Sequence, residues 1–294
     1  MNLTKIEWTH RPGTVGMTWN PIRARNKETG RTGTFCTHAS PGCLNCYAEA
    51  IGKRFGTGLA FNVPNLKKID FFLDEKILGE PLKRKKPATI FVGDMFDLFH
   101  EAIPDGMIQR VIGTAVCAEQ HTFQFLTKRA ERMQALIGGD FGVNAYGPPK
   151  NCWYGVSVES QKYADERIPL LLETPAALRF LSVEPQLEAV DLTKYWDDKF
   201  IRGISWVIVG GESGPGARPF NLAWAESLRD QCKASNVAFF MKQVGSRPLS
   251  ACGCGPLHLE DRKGGDPSEW PEALRVREFP MGGARHDLQR RNAK

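Results

Sequence analysis

Ser205-Trp-Val-Ile-Val-Gly-Gly-Glu212 is a near-continuous apolar run that ends in two glycines and a carboxylate. It does not alternate polar with apolar residues, which is the pattern of a parallel strand covered on both faces. Runs of the same kind recur along the chain. Upstream lie Thr89-Ile-Phe-Val-Gly-Asp94, Thr122-Phe-Gln-Phe-Leu-Thr-Lys128, Cys152-Trp-Tyr-Gly-Val-Ser-Val-Glu159 and Leu178-Arg-Phe-Leu-Ser-Val-Glu184; downstream lies Val237-Ala-Phe-Phe-Met-Lys-Gln243. Met17-Thr-Trp-Asn-Pro21 is the candidate first strand. Helix-patterned stretches fill the gaps: Cys46 to Arg54, Pro104 to Glu119, Ala130 to Ile137, Gln161 to Leu172 and Leu222 to Ala234. A βα unit repeated about six or seven times predicts an α/β fold around a parallel sheet, open or closed into a barrel. Lys194 to Arg202 reads as an insertion before the sixth strand.

After Gly245 the composition changes. Cys252-Gly-Cys254, Gly264-Gly-Asp-Pro267 and Gly282-Gly-Ala-Arg-His286 are turn-rich, and the last ten residues are basic. The expected division is a (β/α) domain over residues 1–246 and a loop-rich basic extension over 247–294.

Composition narrows the class. The chain has 294 residues, 41% hydrophobic and 24% charged, which is ordinary for a globular protein with a large core. There is no run of about 18 apolar residues, so no membrane span is expected. The first residues show no apolar segment of the secretory type. The eight cysteines therefore fit a reducing cytoplasm, where clustered thiols mean metal or redox chemistry more often than disulfides. A net charge of +6 is compatible with a polyanionic partner. Basic residues cluster at Lys67-Lys68, at Lys83-Arg-Lys-Lys86 and from Arg285 to Arg291.

Three of the cysteines stand close together in Cys36-Thr-His-Ala-Ser-Pro-Gly-Cys43-Leu-Asn-Cys46, just before a predicted helix. Pro41 and Gly42 let the loop turn so that the sulfurs can converge. Four thiolates close a structural zinc site; three on an iron–sulfur cubane leave one iron open for a cofactor or substrate. A zinc site completed by His38 or another cysteine is the alternative. Cys252 and Cys254, with His258 nearby, form a further candidate metal pair. Cys117 and Cys232 sit in helical patterns and read as buried small hydrophobes.

The residues that end the apolar runs are the predicted site, because strand C-termini line the active site of α/β barrels. They are Asp94, Lys128, Glu159, Glu184, Glu212 and Gln243. Lys128, Glu159 and Glu184 are the catalytic candidates. Asn20 ends the first strand and is a candidate partner of the cysteine loop or a cofactor. The loop Gly210-Gly-Glu-Ser-Gly-Pro-Gly-Ala-Arg-Pro219 is the most glycine-dense. Its backbone N–H groups suit an anion nest. Arg218 there suits a carboxylate or phosphate.

Trp19-Asn-Pro21, Ser40-Pro-Gly-Cys-Leu-Asn-Cys-Tyr-Ala-Glu49, Leu181-Ser-Val-Glu-Pro185, Val207 to Pro219 and Phe240-Met-Lys-Gln243 follow one another in this order. Over about residues 3–246 the chain resembles the phage and prophage three-cysteine-motif proteins, a family similar to radical S-adenosylmethionine (radical SAM) enzymes. The resemblance implies a complete or partial radical SAM barrel. It also implies a [4Fe-4S] cluster on Cys36, Cys43 and Cys46, with S-adenosylmethionine on the open iron, an electron donor, and a 5′-deoxyadenosyl radical that abstracts hydrogen. The cysteine spacing is longer than that superfamily's commonest one. Gly210-Gly-Glu212 resembles the motif that binds the cofactor's amino group, but follows about the sixth strand instead of the second. By position Gly93 and Asp94 are the expected amino-group contacts, leaving Glu212 for the ribose, the carboxylate or the substrate. The phage context implies modification of DNA, with a thymine-derived base carrying an amine or amino acid as the expected substrate. Radical base repair, or a zinc-stabilised nucleic-acid-binding protein without catalysis, are the alternatives.

Overall fold

The computed structural model describes residues 1–141, 147–196, 203–253 and 255–280. The main sheet has eight strands: β1 (Asn2–Leu3), β2 (Val15–Trp19), β3 (Ala88–Val92), β4 (Thr122–Thr127), β5 (Cys152–Ser157), β6 (Leu178–Val183), β7 (Ile204–Gly210) and β8 (Ala238–Gln243). They lie side by side in chain order. β1 is antiparallel to β2, and every other neighbouring pair is parallel. The longer helices are α1 (Tyr47–Phe55), α2 (Asp105–Cys117), α3 (Ala130–Leu136), α4 (Gln161–Glu173) and α5 (Leu222–Ala234). Every apolar run read from the sequence is a strand, and every helix-patterned stretch contains a helix. None of the described helices is long and apolar enough to cross a membrane.

Side chains alternate across the sheet with the period of two that a pleated strand imposes. Ile90, Phe123, Phe125, Val156, Val183, Val207 and Met241 face one way and join the apolar stripes of α2, α4 and α5 in the largest core cluster. Phe91, Trp153, Phe180, Trp206, Ile208 and Phe240 face the other way and form a second cluster around Trp8. In a flat sheet β3 and β7 would stand roughly 19 Å apart at the usual strand spacing. Yet the Trp8 ring lies 4.7 Å from Phe91 of β3 and 6.1 Å from Trp206 of β7, centroid to centroid. It is also 6.1 Å from Phe180 of β6. The sheet therefore curls around one indole, with the rings on its concave side. Among the described residues no pairing joins β8 back to the first strands.

Two parts of the architecture were not in the sequence reading. A small antiparallel sheet pairs Ile22–Asn26 with both Thr32–Gly33 and Ile69–Leu73. Ala24 and Ile69 of this sheet pack against Phe35, Ala48 and Phe61, so it fixes the stretch that leads into the cysteine loop. The second is the packing of the C-terminal segment. It is rich in loops, as its composition implies, but it is docked along the edge of β8. Val276 O accepts from Met241 N at 2.8 Å, and Glu278 N donates to Phe239 O at 2.9 Å. Trp270 and Leu274 are buried, and Arg277 lies over the rings of Phe240 and Trp270. A sheet edge covered in this way is closed to further strand pairing. Cys232 is buried as expected, whereas Cys117 is exposed because it sits in the last turn of α2 with its side towards solvent. Cys254, the basic run from Arg285 and much of the expected insertion before β7 lie outside the described residues.

Replacing Trp8 with alanine removes the ring that fills the concave side, and should lower stability by about 3–5 kcal/mol. Urea unfolding followed by circular dichroism measures it; an unchanged midpoint would show that the curvature does not depend on this side chain.

Candidate active site

Because β2 to β8 run parallel, their C-terminal ends share one edge of the sheet. Asn20, Asp94, Lys128, Glu159, Glu184 and Glu212 all stand just past those ends. Asn20 donates to Asp94 Oδ1 at 2.7 Å and accepts from Met95 N at 3.4 Å. Burial raises the Asp94 carboxyl above its usual range, against hydrogen bonds from Asn20 and Thr18. Gly93, at φ 76°, permits the turn that presents Asp94; a Cβ there would meet Phe96 O at 2.9 Å. Glu184 accepts from Lys242 Nζ at 2.5 Å and from Gln243 Nε2 at 3.4 Å.

Glu159 is fully buried, and Arg167 donates to its Oε2 at 2.8 Å. Its Oε1 is also buried and has no hydrogen-bond partner among the described residues. That oxygen faces the cysteine loop, because a Cβ placed on Gly42 would lie 3.1 Å from it. Lys128 donates its backbone N–H to Asp97 Oδ2 at 3.0 Å. Its ammonium is close enough to Cys46 to favour the thiolate there.

Cys36 follows the Thr32–Gly33 strand of the small antiparallel sheet, Cys43 ends a 3-10 turn over Pro41–Cys43, and Cys46 is the N-cap residue of α1. All three are half-buried. Burial pushes the Cys36 thiol up to about 12, even with the Arg129 charge beside it. Burial also raises Cys46, against the N–H groups of Glu49 and Ala48 at the start of α1. A charge on Cys43 raises both of the others. A metal that withdraws electron density would relieve this, since thiols bind metals as thiolates. Among the described residues no three His, Cys, Asp or Glu side chains stand as a single-ion site. A cubane cluster asks for something different, because each thiolate takes a different iron, and three cysteines are the donor type it takes. His38, the fourth ligand of the zinc alternative, is engaged by Glu49, Nε2 to Oε2 at 2.7 Å.

The glycine loop holds the cysteine loop. Glu212 accepts from Arg218 through Nε at 3.0 Å, Nη2 at 2.7 Å and the backbone N–H at 2.9 Å. Asn45, next to Cys46, donates to Glu212 Oε2 at 2.9 Å and to Gly216 O at 3.0 Å. Arg218 Nη1 donates to Pro41 O at 2.9 Å. Burial disfavours the Glu212 charge, but these hydrogen bonds win and hold its carboxyl below the usual range. Tyr47 adds a tie from its hydroxyl to Asp94 O.

The sequence does not single out Arg129 or the partners it meets. The guanidinium is nearly buried and pairs with Asp97 Oδ2 at 3.0 Å and Glu101 Oε1 at 2.9 Å. It donates to Thr37 O at 2.9 Å and Thr37 Oγ1 at 3.0 Å, and its Nη1 lies 3.8 Å from Cys36 Sγ. His100 holds the same threonine, Nε2 to Oγ1 at 2.9 Å, while its Nδ1 accepts from Ala102 N at 3.1 Å. Nothing in the local sequence marks Arg129: it precedes a helix, where a solvated charge is the ordinary expectation. Asp97 lies three residues past Asp94, in a loop whose course only the tertiary structure fixes.

Burial and then the Arg129 charge lower His100 from 6.5 to about 4, so it is neutral in the folded chain. Between those values the unfolded chain binds the extra proton, and folding stability should fall as pH drops through this window. Denaturant midpoints at successive pH values check this. His100→Gln should show a shallower fall; an identical slope would remove His100 as its source.

No curated protein and no solved structure matches the chain. A family match does exist, and it runs beyond residue 246 into the segment docked on β8. Residues 3–271 match the family of proteins of unknown function DUF5131, and the chain belongs to that family.

Proposed function

We propose that this chain is a radical SAM enzyme on an open, partial (β/α) barrel, acting on nucleic acid or a nucleotide. The observation that carries the reading is the seating of a three-thiol loop over the C-terminal ends of parallel strands, against a buried guanidinium. Cys36, Cys43 and Cys46 would hold a [4Fe-4S] cluster. When bound, the cluster supplies an electron and an open iron for S-adenosylmethionine, and so starts hydrogen abstraction.

The chain's own groups then divide the work. Asp94, oriented by Asn20 and presented by Gly93, would accept hydrogen bonds from the cofactor's amino group. Arg129 offsets negative charge at Cys36. Glu212 and Arg218 are occupied by each other and by the cysteine loop, so their part is to position that loop. Glu159 keeps a buried oxygen beside Gly42 that has no partner among the described residues, suited to a donor on cofactor or substrate. Lys128 and the Glu184–Lys242 pair face the substrate side. The net charge of +6 and the resemblance to a phage family support DNA in a host cytoplasm as the setting. The substrate we favour is a thymine-derived base with an amine or amino-acid substituent, isomerised after hydrogen abstraction from that substituent.

Anaerobic reconstitution tests the class. A brown protein with about four irons and four sulfides per chain is expected, with neither in Cys36→Ala/Cys43→Ala/Cys46→Ala. A colourless protein holding one zinc would overturn the reading in favour of a binding protein. Intact-nucleoside mass spectrometry of phage DNA with and without the gene tests the substrate, and unchanged nucleosides would exclude it.

A further inference from the structure

A cavity of about 640 Å³ opens between the glycine loop and the C-terminal segment, a size that suits a small ligand. Gly214, Pro215, Arg247, Leu257, His258 and Arg262 are in its wall. Two of these are cations with little else to hold. Both are exposed, and among the described residues the Arg247 side chain reaches only Ala217 O, at 3.4 Å. The Arg262 guanidinium has neither an ion pair nor a hydrogen bond among the described residues; only its backbone O is engaged, by Ser246. Asp261, a carboxylate in the wall, is taken up by the backbone N–H groups of Lys263 at 3.0 Å and Gly265 at 2.6 Å. The rim is fixed, because Ser246 Oγ donates to Arg262 O at 2.6 Å and accepts from Gly214 N at 2.9 Å.

Exposed guanidinium groups with no ion pair among the described residues, beside proline and leucine walls, suit a phosphate attached to an apolar or flat group. The cavity also adjoins the proposed active site. Pro215 is in its wall, and the next residue, Gly216, accepts the hydrogen bond from Asn45 of the cysteine loop. We infer that Arg247 and Arg262 form a phosphate-binding subsite for a nucleotide or a nucleic-acid strand whose base is offered to the strand ends. The inference rests on the nucleic-acid part of the proposed function, and it does not need the cluster.

Fluorescence anisotropy on the purified full chain tests it, with a labelled single-stranded oligothymidylate and with thymidine 5′-monophosphate as competitor. Arg247→Ala/Arg262→Ala should weaken binding of the oligonucleotide by about tenfold or more. The slope of log affinity against log salt should flatten by about 1.4, the value for two lost phosphate contacts on a single strand. Competition by the mononucleotide that disappears in the variant assigns the site to free nucleotides as well; its absence in the wild type assigns the site to strands. Lys76→Ala/Lys162→Ala removes the same charge from other exposed positions and should leave affinity within about twofold. Unchanged affinity in the arginine variant, equal loss in the lysine variant, or no binding of either probe by the wild type would overturn the subsite. Iron content read on the same samples separates the two proposals, since the arginine variant should load iron like the wild type.

Discussion

The architecture depends on how seven parallel strands close over one indole. A parallel sheet buried on both faces needs apolar cover on each side. Here helices cover the convex side. The concave side is too narrow for another helix and is filled by rings, with Trp8 touching strands from opposite parts of the sheet. That curvature brings the strand ends towards one another. Without it Asp94 and Glu184 would lie along a flat edge, and a single small loop could not approach both sides.

The second requirement is to hold a thiol-bearing loop over those ends. A buried guanidinium is unfavourable unless its hydrogen bonds are met and its charge is balanced. Arg129 meets this with Asp97, Glu101 and Thr37, and it thereby fixes the chain next to Cys36. On the other side of the loop, Glu212, Arg218 and Asn45 make a second hydrogen-bonded clamp near Cys43 and Cys46. The first clamp comes from the loops after β3 and β4 and the second from the loop after β7, so the loop bridges the mouth of the curved sheet.

Much of this was legible in the sequence, for definite reasons. The strands were visible because burial on both faces leaves a continuous apolar run, as in Val207-Ile-Val209. The polar residues that end those runs were visible because each marks where burial stops. The small antiparallel sheet was hidden: Ile22-Arg-Ala-Arg-Asn26 alternates too briefly to stand out, and its partner strand begins at Ile69, far along the chain. Trp8 was hidden because a lone tryptophan outside any apolar run does not say what it fills. Arg129 was hidden because a charge gains its role only from Asp97 and Cys36 coming to meet it. Glu212 and Arg218 were legible as parts of a glycine-dense loop, but their pairing with one another and their bonds to the cysteine loop are tertiary facts.

The central claim is that the thiol loop and the strand ends form one cofactor site. Reductive cleavage of S-adenosylmethionine tests it most directly. After anaerobic reconstitution and reduction with dithionite, the account predicts 5′-deoxyadenosine and methionine in equal amounts. It also predicts that Asp94→Asn, with its iron content unchanged, weakens cofactor binding. Iron-loaded wild-type protein that leaves S-adenosylmethionine intact would contradict the claim.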